Sequence, residues 1–223
     1  MRDLTVVFDL DGTLVETAPD LIAATNHVLT HAALAPAPPE LLRPVISFGA
    51  VAMITKGFAH HGLALTRPEI EPHFERFIAY YTANIAATSH AYPGLEDALT
   101  SLHMRGARLA VCTNKQAGMS RQLLGDLRLM DRFMALAGRD TFPVCKPHPD
   151  HLVGAIRMAG GDPARAIMIG DSSTDIDTAK AAGVPVVAVT FGYTDVPVRE
   201  LSPDAVIDHY DELIPAIERL LAR

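Results

Sequence analysis

Val7-Phe8-Asp9-Leu10-Asp11-Gly12-Thr13-Leu14 is the stretch on which the reading of this chain turns. An apolar run from Leu4 to Phe8 predicts a buried strand, and two carboxylates two residues apart stand where that strand must end. Residues i and i+2 of an extended segment face the same side, so Asp9 and Asp11 are expected to enter one small volume. Two like charges so placed need a cation between them or a proton on one of them, which points to a metal, an acid/base role, or both.

Outward from this strand the texture changes twice. From about Pro19 to Ala87 the pattern is helical, with Leu21, Ile22, Val28 and Leu29 spaced along PDLIAATNHVLTHAAL and Pro19 suited to a first turn. Pro36-Ala37-Pro38-Pro39 breaks the pattern, and two further helical stretches are expected near Ala50–His60 and Pro68–Thr88. After Tyr92-Pro93-Gly94, apolar segments alternate with helical ones. A helix near Leu95–Met104 precedes ARLAVCT, a helix near Gln116–Leu124 precedes MALAG, and a helix after Pro149 precedes AIMIGD. A helix over Asp175–Ala182, the strand VPVVAVT and a last helix near Asp211–Leu221 complete the series. Strands without polar alternation, separated by helices, predict a doubly wound α/β fold whose parallel sheet is covered on both faces. The expected organisation is an α/β catalytic core from residues 1–16 and 90–223, with an all-helical cap, 17–89, inserted after the first strand. Hinges are expected near Thr17 and Ala87–Pro93, where the chain crosses between the two.

At 223 residues, 49% hydrophobic and 20% charged, the composition is that of an ordinary globular protein. A net charge of −7 without any basic run argues against nucleic acid as a partner, and no uncharged apolar run is long enough to span a membrane. Cys112 and Cys145 stand far apart and form no CxxC, and the start of the chain lacks the basic and apolar regions of a secretory signal. A reducing, cytoplasmic setting is expected.

Ligands of such sheets bind at the carboxyl edge, so function is read from the strand ends. These are Asp9 and Asp11, Thr113-Asn114-Lys115, Lys146-Pro147, and Gly170-Asp171, with Asp175 opening the next helix. Four carboxylates opposed by Lys115 and Lys146 describe a site for a metal and an anion together, and hard oxygen ligands suit Mg²⁺ better than zinc. Each residue alone has an ordinary reading as a cap, a strand-ending hydroxyl or a solvated charge. Asp-x-Asp-Gly-Thr by itself arises by chance in only about a few per thousand chains of this length.

The ordered set Asp9-Leu10-Asp11-Gly12-Thr13, Thr113-Asn114, Lys146-Pro147 and Gly170-Asp171-Ser172-Ser173-Thr174-Asp175 resembles the haloacid dehalogenase-like hydrolase superfamily across essentially the whole chain. Within it, FDLDGTLVETAPDLIAATN, FGYT near Phe191 and DELIPAI near the C-terminus are similar to the phosphoglycolate phosphatases. The resemblance implies a Mg²⁺-dependent phosphatase acting on a small phosphate monoester, with 2-phosphoglycolate as the expected substrate; a monomer or homodimer is the expected state. It implies that Asp9 attacks phosphorus to form an aspartyl-phosphate and that Asp11 protonates the leaving alkoxide, then activates water. Metal ligands would be Asp9, the backbone carbonyl of Asp11, Asp171 and Asp175. Thr113 and Lys146 would hold phosphoryl oxygens, assisted by Asn114, Lys115, Gly12 and Thr13.

The chain departs from the phosphoglycolate phosphatases at Val45-Ile46-Ser47-Phe48-Gly49, where they carry a Trp-Ile-Gly-Asn-Gly-like element, and at Ser173-Thr174, where they often carry Arg-Asn. Arg43 is the candidate for a substrate carboxylate. A dehalogenase would have no use for Asp11, a phosphomutase would show Val for Thr13 and a His at the position of Leu21, and Lys56 is misplaced for a phosphonoacetaldehyde hydrolase. A silent interaction protein would have no reason to keep these acids together. A zinc site at His148 and His151 lacks a third ligand in sequence reach, and oxidation of Cys112 or Cys145 is expected to depress activity.

Overall fold

In a computed structural model, residues 1–194 and 196–222 are described, and the chain divides into two compact units, Met1–Glu16 with His90–Arg223, and Thr17–Ser89. In chain order the elements are β1 (Thr5–Phe8), β2 (Val15–Glu16), α1 (Ala18–His31), α2 (Pro39–Leu42), α3 (Ala50–His60), α4 (Arg67–Ala83), β3 (His90–Ala91), α5 (Leu95–Met104), β4 (Arg108–Cys112), α6 (Ala117–Asp126), β5 (Ala135–Ala137), α7 (Pro149–Met158), β6 (Ala166–Gly170), α8 (Ser173–Ala181), β7 (Val186–Val189), β8 (Ala205–Ile207) and α9 (Leu213–Leu221).

Six strands form a parallel sheet in the order β5-β4-β1-β6-β7-β8. The chain steps from β1 outward to β4 and β5, then returns to the other side of β1 for β6, β7 and β8. That reversal leaves a crevice at the carboxyl end of β1, between its neighbours β4 and β6. All four residues of β1 are buried, as a central strand covered on both faces requires. Alternate side chains divide between the faces. Val7, Ala110, Cys112, Met168, Val186 and Ala188 join Leu152, Ile156, Ile176 and Ala179 of α7 and α8 in one apolar cluster.

The sheet has an edge strand that periodicity does not reveal. β8 is three residues long, and two of them, Ala205 and Val206, are only half-buried, so it shows neither the length nor the apolar density of the inner strands. Likewise β2 and β3, two residues each, pair antiparallel outside the main sheet and are too short to be read as strands. Cys112 and Cys145 are free thiols. No helix of the described residues is long and apolar enough to cross a membrane.

The second unit is all-helical. Gly57 of α3 lets the helix approach α1 closely, since a Cβ there would stand 3.1 Å from Leu29 Cδ1. Past the proline-rich break, the short α2 runs into a 3-10 segment, Arg43–Phe48, that was not expected as helical; Gly49, at φ +85°, ends it. A capping box at Thr66 and Glu69, with Pro68 in the first turn, starts α4. The helix stops at Ala83 rather than Thr88. The reason lies in Asp20 of α1, whose carboxylate accepts the backbone N–H and hydroxyl of both Thr88 and Ser89 at 2.6–3.1 Å and so draws that segment out of a helical path.

Candidate active site

β1 ends at Phe8, and the backbone N–H of Asp9 still donates to Ile169 of β6, so Asp9 leaves the sheet at its centre. Gly12, at φ +83°, turns the chain back. A Cβ at Gly12 would stand 2.4 Å from Asp171 Oδ2, so only glycine lets this turn approach the end of β6. Thr13, fully buried, donates its hydroxyl to Asp171 Oδ1 at 2.9 Å.

Asp9, Asp171 and Asp175 each present a carboxylate oxygen, and the three oxygens lie within 4.8 Å of one another. Asp171 also accepts the Tyr193 N–H at Oδ2, 2.7 Å away. Asp175 occupies the third position of α8 and completes a capping box with Ser172, whose hydroxyl donates to Oδ2 at 2.7 Å. Its other oxygen, Oδ1, receives the Lys146 ammonium at 2.6 Å, and the same ammonium lies 2.8 Å from Asp9 Oδ1. Three clustered carboxylates thus share one buried volume with a single ammonium, which pairs with two of them, Asp9 and Asp175. Burial pushes the Asp9 carboxyl up to about 6, with Lys146 pulling it down and Asp175 pushing it further up. Burial, then the charges of Asp175 and Asp9, hold the Asp171 carboxyl well above the usual carboxylate range. A cluster so short of positive charge, made only of hard oxygen donors at the N-terminus of α8, fits a divalent cation such as Mg²⁺.

Asp11 sits apart from that cluster. Its carboxylate is held at both oxygens, 2.7 and 2.8 Å, by the Lys115 ammonium. The two acids of the opening stretch are therefore neutralised separately, Asp9 by Lys146 and Asp11 by Lys115, an arrangement invisible from sequence. Thr113 follows β4, is 1% exposed, and its hydroxyl accepts the Lys115 N–H at 3.2 Å, so it keeps a hydrogen to give. Asn114 turns its amide to the Lys146 carbonyl, 2.9 Å away. Of the candidates, Gly12, Thr13, Thr113, Asn114, Lys115 and Lys146 gather with the four acids in the sheet-bearing unit, while Arg43 lies half-buried at the start of the 3-10 segment of the helical unit.

Tyr193, Ser172 and His151 were not singled out as parts of this site. Ser172 carried a legible signal, the Ser-x-x-Asp spacing of a capping box, but Tyr193 contributes through a backbone N–H, which every residue but proline possesses.

The family described as haloacid dehalogenase-like hydrolase matches residues 6–189 of this chain. A phosphoglycolate phosphatase of Mesorhizobium japonicum is 47% identical over 217 residues, spanning 97% of this chain and 96% of its own length. Another, of Agrobacterium fabrum, is 45% identical over 218 residues, spanning 97% and 94%. The crystal structure of a predicted phosphoglycolate phosphatase from Haemophilus somnus superposes with a TM-score of 0.88 at 30% identity, covering 96% of this chain and 98% of that one.

Proposed function

This chain belongs to the haloacid dehalogenase-like hydrolases and is a phosphoric monoester hydrolase, and from that premise we propose that it hydrolyses 2-phosphoglycolate through an aspartyl-phosphate on Asp9 with Mg²⁺ as cofactor. The observation that carries the reading is the buried triad of Asp9, Asp171 and Asp175, two of which share the Lys146 ammonium, with a fourth acid, Asp11, on a lysine of its own.

Asp9 attacks phosphorus in line, and Asp11 gives a proton to the departing alkoxide. Asp11 then takes a proton from the water that attacks the phosphorylated Asp9, which releases inorganic phosphate, frees the Asp9 carboxylate and returns Asp11 to its protonated form. Because Lys115 holds both Asp11 oxygens, one of those contacts must open before Asp11 can carry the proton. The Lys146 ammonium keeps the Asp9 oxygen oriented and meets charge on the phosphoryl group, and the Thr113 hydroxyl supplies a further donor. Mg²⁺, held by Asp9, Asp171, Asp175 and the Asp11 carbonyl, would neutralise the phosphoryl oxygens and the crowded acids. Arg43 of the helical unit is the residue to which we assign recognition of the substrate carboxylate.

The substrate is tested by phosphate release from a panel of small phosphate esters. A kcat/KM for 2-phosphoglycolate at least ~100-fold above the others, roughly 2.7 kcal/mol of discrimination, is expected. Equal turnover of the panel would overturn the substrate and leave the phosphatase.

A further inference from the structure

We infer that His151 is a positioning residue for Lys146, acting with Asn114 as the two arms of a clasp on the lysine's backbone. Lys146 lies in the loop between β5 and α7, outside every helix and strand, so no ladder of hydrogen bonds fixes it. Its two backbone polar groups are both taken by side chains. The N–H donates to His151 Nδ1 at 3.1 Å, and the carbonyl accepts from Asn114 Nδ2 at 2.9 Å. The other His151 nitrogen, Nε2, lies 3.1 Å from the Gly138 carbonyl, next to the end of β5. A carbonyl can only accept and an amide N–H can only donate, so these partners dictate a neutral ring with its hydrogen on Nε2. His151 is 0% exposed on α7, and Phe142 packs edge-on against it with centroids 6.0 Å apart. Burial, together with the nearby Lys146 charge, lowers its pKa to about 4, against a raising contribution from the Gly138 carbonyl. The ring thereby ties the lysine loop to the sheet, and the ammonium that bridges Asp9 and Asp175 inherits its position.

This inference rests on the role given to Lys146 in the proposed function, and the test separates the two. His151→Phe fills the volume without an acceptor, whereas His151→Asn keeps an oxygen near the position of Nδ1. Phosphate release by each is measured in the wild-type and Lys146→Met backgrounds, with binding of inorganic phosphate by calorimetry as a second readout. His151→Phe is expected to lower kcat by ~10²-fold and weaken phosphate binding, and His151→Asn to recover most of both. In the Lys146→Met background His151→Phe should cost nothing further, because the residue acts through that lysine. Equal, additive losses for both His151 variants in both backgrounds, or full activity in folded His151→Phe, would overturn the inference. Should His151→Phe not fold, Asn114→Ala tests the other arm by the same two readouts and the same cycle. Full activity in Lys146→Met would instead overturn the role assigned to the lysine.

Discussion

Asp171 is enclosed by two glycines that leave it no room to move. A Cβ at Gly192 would stand 2.3 Å from the Asp171 Cβ, and one at Gly12 would stand 2.4 Å from its Oδ2. Its oxygens are fixed by the Thr13 hydroxyl and the Tyr193 N–H. A group so constrained can present a lone pair to a cation without further ordering, and partners that orient a ligand matter nearly as much as the ligand. Gly192→Ala, which removes no donor, is expected to weaken Mg²⁺ about 10–100-fold in an activity-against-metal titration while kcat at saturating metal falls less. The residue types of the site were legible because Asp9 and Asp171 directly end apolar runs and the other acids and lysines stand within a few residues of such an end. The pairing was not: which lysine serves Asp9 and which serves Asp11 depends on distances between β1, β4 and the lysine loop.

Among the elements, α1 and α4 show how one carboxylate sets a boundary. Asp20, 4% exposed, gathers the end of the helical unit by accepting from Thr88 and Ser89. Burial acts to raise its pKa, but the hydroxyls and amides of Ser89 and Thr88 outweigh it and hold the carboxyl below its ordinary 3.8. A carboxyl whose pKa is lower folded than unfolded adds stability above the unfolded value and loses it as pH falls through the folded one. Asp20→Asn is therefore expected to cost about 2–3 kcal/mol in urea unfolding at neutral pH, with the difference from wild type shrinking below about pH 4. An undiminished gap in acid would contradict the charge as its cause. Helices such as α3 and α5 fall where periodicity places them, because an apolar stripe and a following Gly or turn mark both ends. The end of α4 does not, because it is decided by a residue more than sixty positions earlier in the chain.

At the scale of the whole molecule, the doubly wound sheet gathers Asp9, Thr113, Lys146 and Asp171 from four separate segments to one edge, which is why a fold readable from alternating apolar and helical segments also locates a site. The folded arrangement concentrates three acids, only two of which pair with a lysine ammonium, and the unfolded chain does not, so Mg²⁺ should bind the folded form and stabilise it. At a hundred times its dissociation constant the cation adds about 2.7 kcal/mol, or about 5–10 °C in the thermal midpoint, and Asp171→Asn should abolish most of that shift. The central claim, that Asp9 is the nucleophile of a metal-dependent phosphoryl transfer, is tested most directly by phosphate release from 2-phosphoglycolate by wild type and Asp9→Asn, each with Mg²⁺ and with EDTA. The account predicts release only by wild type with Mg²⁺, and a fall of at least ~10⁴-fold, about 5.4 kcal/mol of transition-state stabilisation, in Asp9→Asn. Release by folded Asp9→Asn within tenfold of wild type, or a wild-type rate unchanged by EDTA, would contradict it.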